Sequence, residues 1–164
     1  MFKVNPTLFI LAVILWPAFF LSNALAADRY TVSANGQEVK DNKTQLTWRR
    51  CPEGMNWSVN TCIGSASAMT HQAALQEAAS QAVSTGVAWR LPNVKELSSI
   101  VDRSRSNPSD TTAFPVTPSN AFWSSSPVVG GGDYAWFVYL DNGYVSGDHR
   151  SNNGFSVWLV RDSQ

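Results

Sequence analysis

The chain has 164 residues with 12 basic and 12 acidic side chains, a formal net charge of zero at pH 7 and two cysteines. A balance this close to neutral excludes nucleic-acid binding by bulk charge. It also weakens a reading as a strong polyanion binder, although a local arginine patch stays open.

Residues 1–26 read as a signal peptide. Lys3 gives a short positive start, Leu8 to Leu21 is apolar apart from Pro17, and Ala24-Leu25-Ala26 fits the small-x-small cleavage rule. The rival is an uncleaved anchor, but the run is shorter than the ~20 apolar residues a span needs. Cleavage is therefore expected, with membrane contact only through the leader during export. The remaining 138 of the 164 residues, 27–164, have the length of a single domain. Removing Lys3 from the 12 basic residues leaves 11 against 12 acidic ones. Six tryptophans (Trp48, Trp57, Trp89, Trp123, Trp136, Trp158) fall in this part, and one core is expected to bury most of them.

In chain order, Arg29–Ala34 predicts a short strand, Asn35-Gly36 a tight turn and Glu38–Lys40 a returning strand. After a turn at Asp41-Asn42-Lys43-Thr44, Gln45–Arg50 alternates, with Leu46 and Trp48 on one face and Thr47 and Arg49 on the other. Cys51 to Cys62, with Pro52, Gly54, Asn56 and Asn60, reads as a loop held by its ends, and Trp57 as a cover for the core edge. Two close cysteines in an exported chain most simply form one disulfide. The rival thiol pair for metal or redox chemistry lacks C-x-x-C spacing and a histidine nearby in sequence. Ser67 to Val83 is alanine-rich and helical, with Thr70 as N-cap, Gly86 as stop and Met69, Leu75, Ala79 and Ala82 as the inward stripe.

The most informative stretch is Trp89-Arg90-Leu91-Pro92-Asn93-Val94-Lys95-Glu96-Leu97. Pro92 biases Leu91 towards extended backbone and cannot sit inside a helix. Asn93 and Glu96 have capping-box spacing, so a helix is expected from Val94 to about Arg103, with Leu97, Ile100 and Val101 inward. Arg90 and Glu96 are expected to satisfy each other or buried backbone groups. Trp89, Trp123 and Trp136 are expected in the core. Ser104 to Asn120 predicts an irregular connection anchored by Phe114. Ala121–Ser125, Tyr134–Leu140, Tyr144–Asp148 and Phe155–Arg161 predict strands, joined by turns at 130–133, 141–143 and 152–154. Strands, two helices and then antiparallel strands make an α+β fold. The first and last strands are expected to pair and bring the termini together.

These blocks come in a recognisable order: Leu46-Thr47-Trp48, the alanine-rich helix, Trp89-Arg90-Leu91-Pro92-x-x-x-Glu96-Leu97, Phe122-Trp123-Ser124-Ser125-Ser126, Ala135-Trp136-x-Val138 and Leu159-Val160-Arg161. The chain resembles the C-terminal domain family of the Legionella collagen-like protein, bacterial exported domains of largely unknown function, over Val39 to Arg161. The resemblance implies a C-type-lectin-like fold, with two helices on twisted antiparallel strands. Sugar-binding lectins, receptor-binding proteins of phages and bacteria, and the formylglycine-generating enzyme share that fold, so the fold does not fix the function. The chain has no Glu-Pro-Asn or Trp-Asn-Asp tripeptide of calcium-dependent lectins and no collagen-like repeat.

Catalytic and metal chemistry find little support. Asp133, Asp141 and Asp148 could offer oxygen ligands to calcium, but no D-x-D-x-D loop spaces them, and no metal or cofactor is expected. His71 and His149, the only histidines, lack a G-x-S-x-G elbow or other local catalytic motif. Cys51 and Cys62 precede the first helix, whereas the reactive pair of the formylglycine-generating enzyme would be expected in the late strands. The expected ligand surface is the last two hairpins, where Tyr139, Tyr144, Ser146, Asp148, His149, Arg150, Asn152, Asn153 and Phe155 combine aromatic and adaptable polar groups. The expectation is a non-enzymatic exported domain that binds a carbohydrate or protein at the cell envelope or surface. The alternatives are an enzyme on the same fold and a structural subunit of an envelope or secretion assembly.

Overall fold

A computed structural model describes residues 28–104 and 109–163. The expected leader, residues 1–26, lies outside them. Strands β1 (Tyr30–Val32), β2 (Glu38–Asp41) and β3 (Leu46–Arg49) form the expected antiparallel meander, with Val39 opposite both Val32 and Trp48. Gly36, at φ 72°, closes the first turn in a conformation that favours glycine. The carboxylate of Asp41 is fully buried. Arg29 meets it at 2.8 Å and also donates to the Ser99 carbonyl at 2.6 Å, which ties this sheet to the second helix. Burial alone would push the Asp41 carboxyl up, but the Arg29 hydrogen bond and the Lys43 amide outweigh it and hold the group below its usual range.

The Cys51–Cys62 segment is a hairpin, not the expected loop. β4 (Met55–Ser58) pairs with β5 (Thr61–Gly64), and Trp57 lies opposite Cys62. Its polar residues hide the strand pattern, because a two-stranded ribbon presents one face to water. The cysteines do form the expected disulfide, with Cα atoms 5.6 Å apart. Disulfides persist in oxidising compartments, so the bond fits an exported chain. The Arg50 guanidinium lies 4.3 Å from the Trp57 ring and fastens the ribbon to the end of β3.

Thr70 and Gly86 cap helix α1 (His71–Thr85) as expected: Thr70 Oγ1 accepts from the Ala73 amide, and Gly86 is left-handed at φ 67°. The inward stripe differs. His71, Ala74 and Ala78 are buried, whereas Leu75 is 39% exposed, Ala79 is exposed and Met69 belongs to the short strand β6 (Ala68–Met69). His71 sets the helix's phase. Its Nε2 lies 3.0 Å from the Ser124 carbonyl, and its ring packs edge-on against Trp123 at 5.4 Å. Helix α2 (Val94–Ser99) starts at the expected residue but stops early, because Ile100 is its C-cap and Val101 bridges to Ser109 in extended backbone. Leu97 and Ile100 point inward and Phe114 anchors the following connection, as expected.

β7 (Ala121–Pro127), β8 (Tyr134–Tyr139) and β9 (Val145–His149) form an antiparallel set. The expected closing strand is split in two. β10 (Phe155–Ser156) runs parallel to β7 in a second sheet of order β6-β10-β7-β8-β9, and β11 (Val160–Asp162) joins the first sheet in the order β1-β2-β3-β11. The first and last strands therefore occupy opposite edges of one sheet and do not pair. The split follows from alternation: Phe155, Val157 and Leu159 pack in one hydrophobic cluster, and Trp158 and Val160 in the other. Two clusters thus replace the one core expected. Trp48, Trp123 and Trp158 are fully buried and Trp89 nearly so, but Trp57 and Trp136 are only half-buried, so Trp136 is not the core residue expected. The class is mixed α+β, mostly sheet with two helices. Among the described residues no helix is long and apolar enough to cross a membrane.

Two outcomes follow. Replacing both Cys51 and Cys62 with Ser should lower unfolding stability by about 2–3 kcal/mol in chemical denaturation. Hydrogen exchange should show β4–β5 losing protection first. The second outcome concerns His71, whose imidazole burial holds below its ordinary 6.5; the Ser124 carbonyl partly opposes this and Arg150 adds to it. The folded chain therefore takes up that proton less readily than the unfolded chain, so this contribution is full above 6.5 and drains as pH falls below it. The denaturation midpoint should fall as the pH drops below 6.5, and His71→Gln should flatten that fall.

Candidate functional site

The sequence blocks that carried the resemblance meet in space. Arg90 exchanges two backbone hydrogen bonds with Val160, at 2.9 and 3.0 Å, and so lines the outer edge of β11. Its guanidinium makes a two-pronged contact with Glu96, at 2.8 and 2.9 Å, and a third bond to Asp162. Glu96 also accepts from the Asn93 amide at 2.8 Å, while Asn93 accepts from the Lys95 and Glu96 amides, so the capping box is complete. The Ser125 amide donates to the Pro92 carbonyl, and Ser126 Oγ accepts from the Val94 amide. Ser124 Oγ reaches the Trp136 carbonyl at 2.7 Å. The hydrogen bonds to Glu96, first of all, raise the Arg90 pKa against the opposing effect of burial, so it stays charged. Trp89 is 5% exposed, with the Arg49 and Arg161 guanidiniums 5.0 and 5.5 Å from its ring. These polar groups are engaged with one another, and Leu91 is buried in the core. The junction is a structural node.

The expected ligand residues divide into three groups. Tyr139, Tyr144, Ser146, Asp148 and Asn152 come together. Register places Tyr139 and Phe137 on one face of β8 and Ser146 opposite Phe137, so Ser146 and Asp148 extend that face along β9. Phe137, Tyr139 and Tyr144 have ring centroids 5.7–6.4 Å apart, and Phe155 lies 4.6 Å from Phe137 beneath them. Tyr144 is 57% exposed. Asp148 is held in place by the Asn152 amide group at 2.7 Å and the His149 backbone at 2.6 Å. His149 points to the opposite face, edge-on to Tyr134 at 5.6 Å, with Nδ1 on Ser151. Asn153 is exposed in the turn, and the Arg150 backbone bonds Asp133 and His71. Phe155 is not an accessible ligand contact: it is 8% exposed and packs against Trp123 at 4.7 Å, because β10 is an inner strand of the sheet.

The hollows lie elsewhere. One of about 280 Å³ is walled by Trp57, Trp89, Arg49, Glu53 and the disulfide segment. There Arg49 bridges Glu53 and Gln81 at 2.8 Å each, and burial pushes the Glu53 carboxyl up despite Arg49. Sequence reading missed this wall. The signal available was Trp57 inside the cysteine loop with paired arginines before it. A second hollow, of about 530 Å³, opens between α1 and the Trp89–Glu96 stretch. Among the described residues no group of three or more His, Cys, Asp or Glu side chains could hold a metal ion, and Asp133 and Asp141 are exposed in separate turns.

Comparison with curated proteins finds no match. The family model described as the Lcl C-terminal domain matches residues 37–161, which takes in every block of the junction. The chain therefore belongs to the Lcl C-terminal domain family.

Proposed function

We propose that this protein is an exported, non-enzymatic binding domain of C-type-lectin-like architecture that recognises a carbohydrate or protein ligand through the β8–β9 face. The observation that supports this reading most is the aromatic row of Tyr139 and Tyr144 beside the fixed Asp148–Asn152 pair. Aromatic faces stack on the apolar side of a sugar ring, and a carboxylate and an amide held by each other present acceptors and a donor to neighbouring hydroxyls. The same chemistry serves a protein partner, with Tyr supplying contact area at small entropic cost. Phe137, packed beside both tyrosines and itself backed by Phe155, stiffens the platform, so little ordering is required on binding.

A glycan array and a pull-down with the purified protein test this. A captured ligand whose affinity falls by at least about tenfold in Tyr144→Ala, with the thermal midpoint unchanged, is the expected result. Asn93→Ala should do the reverse, costing about 1 kcal/mol of stability through the lost cap and leaving affinity intact. No ligand in either assay, together with measurable turnover of a substrate, would sink the reading.

A further inference from the structure

The outer face of the first sheet carries a row of hydrogen-bond donors that the binding surface above does not use. Register sets Thr31 opposite Lys40, Lys40 opposite Thr47 and Thr47 opposite Arg161, so one rung crosses all four strands. The neighbouring rung sends Val39, Trp48 and Val160 into the core, and strand alternation turns this one outward. Small Thr47 therefore lies between two long cationic side chains. That difference in size leaves a hollow of about 300 Å³, whose lining includes Thr31, Glu38, Lys40, Thr47, Arg161 and Ser163.

The donors outnumber the acceptors there. Thr47 and Ser163 hydroxyls bond each other at 2.8 Å, which uses one of their two protons and leaves the other to donate. Thr31 Oγ1 accepts from Asn42, so its own proton is also left over. Arg161 Nη2 holds Glu38 at 2.7 Å, but its Nε is buried and has no hydrogen-bond partner among the described residues. Among the described residues that line the hollow, Glu38 is the one acidic group, and Arg161 matches its charge. Lys40 makes no ion pair among the described residues, so the described side chains of the hollow carry one net positive charge.

We propose that this hollow binds the carboxylate group of a small ligand. The carboxylate rests on the Thr47–Ser163 hydroxyl floor and takes a hydrogen bond from Lys40 Nζ, with the Arg161 side chain on its other flank. One net charge suits a monoanion, and a planar group with two acceptor oxygens fits a floor flanked by a cation on each side. The site is separate from the β8–β9 face and stands whether or not that face binds a sugar.

Acetate titrated into the purified protein at constant ionic strength, followed through the backbone amide resonances, tests the assignment. Saturable shifts at Lys40, Thr47, Arg161 and Ser163 are expected. Lys40→Gln should weaken acetate binding by about tenfold and Thr47→Val, which keeps the shape and removes the hydroxyl, by about fivefold. Tyr144→Ala should leave acetate binding unchanged. Absence of saturation, equal response to sulfate, or undiminished affinity in a folded Lys40→Gln chain would overturn the proposal. If Lys40→Gln does not fold, Thr47→Val decides alone, with undiminished affinity counting against it.

Discussion

The contact on which the rest of this structure depends is the one Arg90 makes with β11 and α2 together. Its backbone closes the edge of β11 through two hydrogen bonds, and its side chain grips the glutamate that caps α2. As a half-exposed ion pair, Arg90–Glu96 contributes little energy by charge alone. Its value is geometric. A planar guanidinium with two parallel bonds fixes the direction of Glu96, Glu96 fixes the Asn93 amide, and the helix start is thereby set against the sheet edge. Lysine could not reproduce the fork. The serines that follow Trp123 complete the node, since they satisfy the Pro92 carbonyl and the Val94 amide, which have no partner within the helix.

The same node draws several distant sequence blocks together. Trp89–Leu97, Phe122–Ser126, Ala135–Val138 and Leu159–Arg161 are neighbours in space, joined mostly through backbone groups. A change in one moves the hydrogen-bond partners of the others. The closing segment adds the second constraint. Residues 155–160 are all buried and alternate between two hydrophobic clusters, and Trp158 Nε1 donates to the Arg49 carbonyl at 2.6 Å. A segment that serves two cores in turn cannot slip by one residue without exchanging Trp158 for Val157 or Leu159, which differ greatly in volume.

Local features were legible in the sequence and long-range ones were not. Thr70, Gly86, Asn93 and Glu96 act within a few residues of themselves, so the helix caps could be read directly. The meander from Tyr30 to Arg49 was readable because its turns are short. The inward stripe of α1 was misread because its phase is set by His71 meeting Ser124, more than fifty residues away, and alanine periodicity carries no such information. The stretch between the cysteines reads as a loop because Asn56 and Asn60 look like breakers, whereas in a ribbon only one face needs to be apolar. In the hairpin region, Tyr144, Ser146 and Asp148 share parity and so share a face, whereas His149 has the opposite parity and faces away. Phe155, at the start of a predicted strand, reads as an accessible hairpin aromatic because nothing local reveals that its strand lies between two others. The row from Thr31 to Arg161 was invisible for the same reason. Its members lie on four strands, and only the closing strand's return to β3 brings Arg161 beside Thr47.

The division between frame and surface has a physical origin in the second sheet. Phe137 and Phe155 belong to the core cluster that includes Ala74 and Ala78 of α1, and they also form the floor under Tyr139 and Tyr144. A platform built on core side chains inherits their rigidity, and tyrosine brings few rotatable bonds of its own. Asp148 is locked from both sides by Asn152 and its own neighbour's amide, so the polar partner beside the platform is rigid as well. Substitution on this face, at Tyr144, Ser146 or Asn152, leaves the node at Arg90 in place, because no hydrogen bond described joins those three side chains to Arg90 or Glu96. A domain so arranged can keep one frame while its exposed face is substituted, so the frame by itself does not fix what the domain does.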